Sequence, residues 1–483
     1  EMSASLVGSE MCIRDSNKGV ITVALLFLVS EGIRQSGTLG QVIKKLLPQG
    51  KTTVFKAQLR LLPSVAFISA FLNNTPVVVI FAPIIKHWAN SVKLPATKFL
   101  IPLSYVTILG GICTLIGTST NLVVHGMILD AGFEGFSMFE LGKVGIFIAI
   151  AGIIYLFVFS KRLLPDARPD TAVPDEEVEE GEEGEKLHRV EAVLGARFPG
   201  INKKLKDFNF QRHYGAEVKE IKTRNGQRFV TNLEDIVLHE GDTLVVMADD
   251  TFIPTWGESS VFVLLTNGNE PDTSGKKKRW FALLLLVLMI VGATVGELPV
   301  TKEMFPDIKL DMFFFVSITT IIMAWTNLFP ARKYTKYISW DILITIACAF
   351  AISKAMVNSG VADSVAKFII GLSDDYGPHV LLAMVFIITN LFTELITNNA
   401  AAALAFPLAL SISAQLGVSP TPFFVVICMA ASASFSTPIG YQTNLIVQGI
   451  GNYKFTDFVR IGLPLNIITF LISIILIPLI WNF

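Results

Sequence analysis

The chain has 483 residues, of which 52% are hydrophobic and 16% are charged, and its formal net charge is −1. So few charges cannot cover a soluble protein of this size, and the composition therefore excludes that class. The near-zero net charge gives no reason to expect a nucleic-acid partner, and the spacing of the four cysteines and six histidines predicts neither a disulfide framework nor a metal centre.

The first sixteen residues, EMSASLVGSEMCIRDS, lack the basic start and the small-residue cleavage site of a signal peptide. They resemble an adapter-derived translation that recurs in metagenomic assemblies. We therefore expect residues 1–16 to be an artefact that carries no function.

Eight apolar windows follow, each long enough for a helix to cross about 30 Å of hydrocarbon. They predict an all-α polytopic membrane protein. The windows are 18–35, 98–130, 140–162, 279–298, 311–329, 339–357, 420–449 and 460–481. Two shorter segments, 38–48 and 361–372, are predicted to be amphipathic helices that lie in the membrane interface.

A polar region interrupts this pattern in the middle of the chain. Residues 165–185, with the core PDEEVEEGEEGE, are predicted to be an acidic linker. Residues 186–275 alternate as in a small α/β domain, with HRVEAVL, AEVKEIKT, QRFV, HEGDTLVVMA and VFVLL as strands. The segment INKKLKDFNFQRHYG (201–215) is predicted to be an amphipathic helix, and KKKRW returns the chain to the bilayer.

The membrane parts on either side of this domain, 17–164 and 276–483, form an internal repeat. GTSTNLVVHG at 117–126 matches GYQTNLIVQG at 440–449, with the glycines and Thr-Asn-Leu in the same places. Ser36-Gly37 and Ser359-Gly360 likewise match. Polar landmarks in the same order and at common spacing are not expected from chance similarity among apolar helices.

Each half also contains a polar triplet inside an apolar run, in FLNNTPVVVIFAP (71–83) and TNNAAAALAFP (397–407). Two apolar arms flank each triplet, so we predict two re-entrant hairpins, at 58–90 and 379–418, whose tips end inside the membrane. If each hairpin enters and leaves on one side, five spans separate equivalent points. Because five is odd, the two halves are predicted to be inverted relative to each other.

Basic side chains are concentrated in one set of loops. The positive-inside rule places these loops, and the domain 186–275 with them, on the cytoplasmic side of a plasma (inner) membrane protein. The second half also has two spans, 279–298 and 311–329, without a counterpart before residue 18, which predicts a truncated amino terminus. The basic residues are Lys44, Lys45, Lys51, Lys56, Lys86, Lys93, Lys98, Lys161, Arg162, Lys276–Arg279, Arg332, Lys333 and Lys336.

Polar tips inside the membrane have a physical consequence. A broken helix leaves free amides where the next helix begins and free carbonyls where the previous one ends, and these ends carry partial charges of opposite sign. Two tips that meet at the midplane can hold an anion with amides and with Asn and Thr side chains, and cations with carbonyls. The glycine- and threonine-rich interruptions at 110–121 and 432–444 predict unwound helices beside the tips; close packing of small residues is the alternative interpretation.

These motifs resemble the divalent anion–sodium symporter family of the ion transporter superfamily, the solute carrier 13-like permeases. The resemblance covers about 18–162 and 279–481. It implies an inverted repeat with two re-entrant hairpins, an elevator-type secondary carrier that is usually dimeric, and sodium and substrate held at the hairpin tips. The family signature is Ser-Asn-Thr at each tip; this chain has Asn73-Asn74-Thr75 and Thr397-Asn398-Asn399 and retains each central asparagine.

The resemblance assigns site residues to both tips. One sodium site would consist of Ser69, Asn73, Asn74 and the Gly117 carbonyl, and the other of Thr393, Asn398 and the Gly440 carbonyl. The implied substrate-binding residues are Asn73, Asn74, Thr75, Thr118, Thr397, Asn398, Asn399 and Tyr441. Sodium is the only metal ion expected, and no cofactor is. Glu394, in a hairpin arm, is predicted either to sense protons or stabilise cations, or to be an internally hydrogen-bonded structural acid.

The polar domain resembles the carboxy-terminal regulator domain of potassium-conductance proteins, the TrkA-C or RCK type. That resemblance implies a small regulatory ligand or dimerisation, and a structural insert is the alternative.

The predicted function is sodium-coupled symport of a small divalent anion, with sulfate favoured over a dicarboxylate and no enzymatic chemistry. Moving a dianion inward against a membrane potential of 100 mV costs about 4.6 kcal/mol. Two sodium ions carried in the same step would cancel this cost. The alternatives are a regulator-gated cation channel, a cation/proton antiporter, and an arsenite- or citrate-type carrier of the same superfamily.

Overall fold

The computed structural model describes residues 18–48, 50, 52–166, 179–180, 186–195, 197–223, 227–249, 251–256, 261–266, 276–296, 298–304, 310–330, 332, 334–338, 340–372 and 377–483. The predicted artefact at 1–16 and most of the predicted acidic linker lie outside these residues.

Helices dominate the described residues, and one small sheet separates two helical halves. The first half contains α1 (Lys18–Gln35), α2 (Thr38–Leu46), α3 (Val54–Ser69), α4 (Asn74–Ser91), α5 (Leu100–Gly111), α6 (Ser119–Asp130) and α7 (Gly142–Leu163). The insert contains β1 (Glu179–Glu180), β2 (Lys186–Leu194), α8 (Phe210–Tyr214), β3 (Glu217–Lys222), β4 (Arg228–Phe229), β5 (Thr243–Ala248), α9 (Phe252–Trp256) and β6 (Phe262–Thr266). The second half contains α10 (Lys276–Gly296), α11 (Pro299–Met304), α12 (Met312–Trp325), α13 (Tyr334–Tyr337), α14 (Trp340–Asn358), α15 (Val361–Leu372), α16 (Gly377–Leu395), α17 (Asn398–Leu416), α18 (Thr421–Ser432), α19 (Gln442–Gly451) and α20 (Phe455–Ile480).

The predicted all-α polytopic class is confirmed. Five of the described helices are long and apolar enough to cross a bilayer, and the number is seven if each of two bent pairs counts as one span. Two predicted windows, 98–130 and 420–449, are each divided into two short helices, α5–α6 and α18–α19. One buried apolar cluster connects both halves.

The bent pairs show the repeat in backbone geometry. Helices α1 and α2 meet at 60°, and the equivalent α14 and α15 meet at 72°. The turn residues Gly37 and Gly360 have φ of 69° and 71°, a left-handed conformation that glycine adopts without steric cost. The preceding serines, Ser36 and Ser359, each donate to the carbonyl three residues earlier. Both predicted amphipathic helices are therefore present and begin at equivalent turns.

Two helical hairpins, α3–α4 and α16–α17, occupy the predicted positions with slightly shifted ends. The first begins at Val54 rather than at 58, because the Thr53 side chain accepts from Lys56 N and caps α3. The second ends at Leu416 rather than at 418, because Gly417 takes φ of 68° and stops α17.

Helix α7 shows where the first hairpin has its base. Gln58, in the outer part of α3, donates to Ser160 Oγ at 3.0 Å and to Lys98 O at 2.7 Å. Ser160 lies near the carboxyl end of α7, the end from which the chain continues to the insert. The base of the first hairpin therefore lies at the insert end of the bundle.

The base of the second hairpin lies at the opposite end. Trp481 Nε1 donates to Glu140 Oε1, two residues before α7 begins, at 3.1 Å. The ring of His379, at the start of α16, packs against the ring of Phe483, with centroids 5.1 Å apart. The two hairpins therefore enter the bundle from opposite ends, as an inverted repeat requires.

The insert is an antiparallel sheet in the order β1-β2-β5-β3-β4, and β6 pairs with the end of β2 at Glu191–Leu194, on the edge opposite β5. An aromatic cluster that includes Phe198, Phe208 and Phe262 fills its core. The prediction of a helix over 201–215 is wrong except for α8. Asn202 takes a left-handed φ of 61°, and Leu205 N donates to Ile236 O, so the segment pairs with 236–238 instead of coiling.

Candidate functional site

The first hairpin tip contacts the second half of the repeat. At its tip the chain passes from α3 to α4, which begins at Asn74. The Asn74 side chain lies 2.6 Å from the Tyr441 hydroxyl, and Thr75 Oγ1 donates to Gln442 Oε1 at 3.3 Å. Tyr441 and Gln442 stand where α19 begins, directly after the second unwound segment.

The second hairpin tip makes the reciprocal contacts. Asn398 Nδ2 donates to Thr120 Oγ1 at 2.8 Å. Asn399 Oδ1 accepts from Ser119 Oγ at 3.2 Å and from Thr120 Oγ1 at 3.3 Å. Ser119 and Thr120 begin α6, directly after the first unwound segment. Each tip is therefore bound by the broken span of the other half.

Equivalent asparagines hold the two unwound segments in shape. Asn121 Nδ2 donates to Thr114 O at 2.9 Å and to Gly111 O at 3.4 Å, seven and ten residues earlier. Asn444 Nδ2 donates to Thr437 O at 3.2 Å and to Ser434 O at 2.8 Å, at the same two offsets. The Thr-Asn-Leu repeat in the sequence therefore has a structural cause: its asparagine binds carbonyls that the interrupted helix leaves unpaired.

Oxygen atoms converge beside the first tip. Ser69 Oγ lies 2.8 Å from the Asn74 side-chain amide and donates to Thr107 O at 2.9 Å. The same side of that amide faces Thr107 O at 3.0 Å and Gly117 O at 3.2 Å. The structure therefore brings together three of the four residues predicted for this sodium site: Ser69, Asn74 and Gly117.

The orientation of the Asn74 amide is decided by its hydrogen-bond partners. With the nitrogen toward Gly117, its two hydrogens face three acceptors, the carbonyls of Thr107 and Gly117 and Ser69 Oγ, and the amide oxygen accepts from the Tyr441 hydroxyl. With the oxygen toward Gly117, Nδ2 donates to Tyr441 instead. The first orientation satisfies every group without an ion; the second collects acceptor oxygens around one point, as a cation requires.

The structure brings the residues of the second predicted sodium site together less completely. Thr393 Oγ1 donates to Ala431 O at 2.7 Å, and Asn398 faces Thr120. A Cβ on Gly440 would lie 2.1 Å from Thr393 O. The structure therefore brings Gly440 against Thr393, while Asn398 Nδ2 donates to Thr120 of the other half and Asn398 Oδ1 accepts from Asn399 N.

The predicted substrate residues form a gradient of accessibility. Thr118, Asn399 and Tyr441 are buried, whereas Thr397 is exposed and Thr75 is partly accessible. Asn73 is partly accessible and lines a cavity between the first tip and α1, together with Ser119 and Ile116.

Four helices, α4, α6, α17 and α19, begin within this network. Three of their capping residues, Asn73, Thr118 and Tyr441, make no side-chain bond to the helix they precede. Only α17 is capped, because Thr397 accepts from Ala400 N. Because no capping side chain accepts from their first amides, these three amino termini keep the positive partial charge of the helix dipole within the network.

Thr120, Gln442 and Thr107 belong to this network but were missed in the sequence analysis. Thr120 and Gln442 lie inside the matched motifs at the first turns of α6 and α19, so their position beside the unwound segments was the available signal. Thr107 contributes its backbone carbonyl, which leaves no trace in the sequence.

Glu394 lies on the outer side of the second unwound segment. Its Oε1 accepts from Ser436 N at 2.9 Å and from Asn466 Nδ2 at 2.7 Å. Its backbone carbonyl accepts from Thr437 Oγ1 at 3.0 Å. These bonds tie the second hairpin to α20 and to the unwound segment, as the structural interpretation expects. Glu394 Oε2 is buried and has no hydrogen-bond partner among the described residues, so the choice between the two predicted roles stays a prediction.

A family model described as citrate transporter (CitMHS) matches residues 6–415 and, in a second match, residues 308–482. The uncharacterized transporter sll0640 of Synechocystis sp. is 29% identical over 97% of this chain and 89% of its own length. The uncharacterized transporter YfbS of Escherichia coli is 25% identical over 100% of this chain and 94% of its own. Sodium/sulfate cotransporter 2 of Chlamydomonas reinhardtii is 32% identical over 58% of this chain and 31% of its own.

Proposed function

Since the chain belongs to the citrate transporter (CitMHS) family, we propose that this multi-pass membrane transporter carries a small divalent oxyanion together with sodium, with sulfate favoured over a dicarboxylate. The predicted membership of the ion transporter superfamily is confirmed by the family match and by the named relatives. The substrate, the coupling ion and the elevator mechanism are parts of the proposal.

One observation carries the choice of an anion. Three uncapped helix amino termini, at Asn74, Ser119 and Gln442, meet in one hydrogen-bonded network. Such termini attract negative charge through free amides and through the helix dipole. The side chains around them are amides and hydroxyls, which can donate to an oxyanion without forming an ion pair that would be slow to release.

The coupling to sodium rests on the oxygen cluster beside the first tip. Ser69 Oγ, Thr107 O, Gly117 O and the Asn74 amide face one another within hydrogen-bonding distance. An uncharged oxygen set of this kind suits a monovalent cation that must also leave again. Because sodium would neutralise part of the dianion's charge, moving the loaded site across the membrane potential costs less energy than moving the anion alone.

We further propose that the insert lies in the cytoplasm of a plasma-membrane protein and that the chain forms a homodimer. Several lysines, among them Lys86, Lys98 and Lys161, lie at the insert end of the bundle, which supports a cytoplasmic orientation by the positive-inside rule. The TrkA-C-type regulatory role of the insert, with a small ligand, stays part of the proposal.

The test is uptake into proteoliposomes that contain the purified full chain. We expect accumulation of radiolabelled sulfate under an inward sodium gradient and none when choline replaces sodium. The variant Asn74→Ala should abolish uptake, because it removes the side chain that joins the oxygen cluster to Tyr441. The variant Asn90→Ala, at the other end of the same helix, is the matched control and should transport normally.

The same assay separates the rival functions. Sodium-driven uptake of citrate or succinate in place of sulfate would show that the substrate is a carboxylate, and it would refute the preference for sulfate. Exchange that is independent of sodium would refute symport. An uncoupled ionic current without accumulation would indicate a channel.

A further inference from the structure

Tyr441 links the oxygen cluster to the second half of the repeat. Its buried hydroxyl lies 2.6 Å from the Asn74 amide and 2.8 Å from Thr118 Oγ1, and the Asn398 side chain is a further polar neighbour. A phenol has one proton to donate and lone pairs to accept with. It can therefore donate to only one of these partners at a time. Each of the others must either donate to the phenol oxygen or make no hydrogen bond with it.

We propose that the chain Asn74–Tyr441–Thr118 is a hydrogen-bond relay whose direction is set by a sodium ion in the oxygen cluster and which thereby turns Thr118 into a donor for the anion. The proposal rests on the proposed function and names Tyr441 as the positioning residue that couples the two ligands.

Without a cation, the Asn74 amide turns its nitrogen to the carbonyls of Thr107 and Gly117. Its oxygen then accepts the Tyr441 proton. The phenol oxygen is left to accept from Thr118 Oγ1, the bond whose donor the distance alone does not decide. In this state the Thr118 proton is used inside the protein and is not available to a substrate.

A cation reverses each bond. It replaces the amide hydrogens as the partner of the carbonyl oxygens, and it attracts the Asn74 oxygen to itself. Asn74 Nδ2 must then donate to Tyr441, as it does in the second orientation of the amide. The Tyr441 proton now points to Thr118 Oγ1, and the Thr118 proton becomes available to an anion at the amino terminus of α6. No proton changes its heavy atom; only one amide and two hydroxyls rotate.

The position of Thr118 makes this release consequential. Thr118 is the capping residue of α6, and its side chain makes no bond to that helix. A freed hydroxyl hydrogen therefore lies next to free amides that already attract an anion. One additional hydrogen bond to a charged group corresponds to an affinity change of about tenfold to a hundredfold. By linkage, the anion raises sodium affinity by the same factor.

The experiment measures the dissociation constant of radiolabelled sulfate on the purified full chain with saturating sodium and with choline in its place. The ratio of the two constants is the coupling factor. Tyr441→Phe should lower this ratio at least tenfold, and Thr118→Val should lower it to a similar extent. Thr118→Ser retains the hydroxyl and should preserve the ratio. Tyr155→Phe, which removes a buried hydroxyl that donates to Ile461 O, is the matched control and should not change it.

A second measurement separates a relay from a structural role. Binding of radioactive sodium in the absence of sulfate should persist in Tyr441→Phe within a few fold, because Ser69, Asn74 and Gly117 remain. The double variant with Thr118→Val should be no less coupled than either single variant, since both changes interrupt one relay.

The outcomes are distinguishable. If the wild type shows no sodium effect on sulfate binding, the proposed function fails and the relay fails with it. If the wild type is coupled and Tyr441→Phe is equally coupled, the relay alone is refuted. Loss of sodium binding in Tyr441→Phe would also refute it, because Tyr441 would then belong to the ion site or to the fold.

Discussion

The contact between the insert and the first hairpin offers a sharp test of how the two parts are joined. Lys86, on the arm α4, donates to both carboxylate oxygens of Glu191 on β2 at 2.8 Å, and both side chains are largely buried. Lys222 of the insert lies 3.3 Å from the same carboxylate. Glu191→Gln retains the shape of the side chain and removes the only negative charge shared by these two lysines in the described contacts.

The magnitude follows from the electrostatics of Glu191. Burial alone would raise the pKa of its carboxyl, but Lys86 and Lys222 outweigh burial and lower the pKa to about 2 from an ordinary 4.5. That difference corresponds to roughly 3 kcal/mol. Removing one partner of a buried pair costs about 3–5 kcal/mol, because the other charge is left uncompensated. We therefore expect Glu191→Gln to destabilise the docked insert by about 3 kcal/mol.

The assay is thermal unfolding of the purified full chain, followed by intrinsic fluorescence. Glu191→Gln should lower the midpoint by roughly 5 °C or more. The double variant Glu191→Gln/Lys86→Met should lose less than the sum of the single variants, since one uncompensated charge is gone. Lys206→Met, which removes an exposed ion pair with Asp235, is the control and should leave the midpoint unchanged. If Glu191→Gln unfolds at the temperature of this control, the ion pair does not hold the insert in place.

Three other predictions concern the pH dependence of stability, the close packing at Gly440 and the equivalence of Asn121 and Asn444 in the repeat. Because the pKa of Glu191 is lowered in the folded chain, its contribution to stability is fully present above about pH 4.5 and is lost as pH falls toward 2, so an acid titration of the unfolding midpoint should show a step that Glu191→Gln lacks. Gly440→Ala would place a Cβ 2.1 Å from a hairpin carbonyl and should reduce uptake at least tenfold, whereas Gly371→Ala meets nothing within 4 Å and should transport normally. Asn121→Leu and Asn444→Leu each leave two carbonyls of an unwound segment without a donor; each should cost about 1–3 kcal/mol in thermal unfolding, and a large difference between the two would contradict their equivalence.

The features that could be predicted from the sequence are those that the membrane restricts most strongly, because a polar or irregular segment in lipid is energetically costly unless the protein satisfies it. An apolar window, a polar triplet inside it and a glycine at a span end each stand out, because lipid tolerates so few alternatives. For this reason the hairpin tips at Asn74 and Asn398 and the turns at Gly37 and Gly360 could be located from residue type and spacing alone.

The features that could not be predicted depend on long-range geometry. The pairing of Asn398 with Thr120 joins residues 278 positions apart, and no local pattern records it. The orientation of the Asn74 amide depends on two backbone carbonyls, which residues of any type would supply, so the sequence does not record it. In the insert, the periodicity of 201–215 fits a helix, but bridging to 236–238 and the left-handed Asn202 decide otherwise.

The cross-pairing of the tips restricts how the carrier could move. Asn74 and Thr75 are bound by the broken span of the second half, and Asn398 and Asn399 by that of the first. A motion that separated each hairpin from the broken span of the other half would break these bonds at about 1 kcal/mol each, and more where a buried polar group is left unpaired. A motion that carries both hairpins and both broken spans together breaks none of them. The hydrogen-bond pattern therefore favours rigid-body displacement of the whole site, and because Lys86 ties this body to the insert, the insert is placed to travel with it or to restrain it.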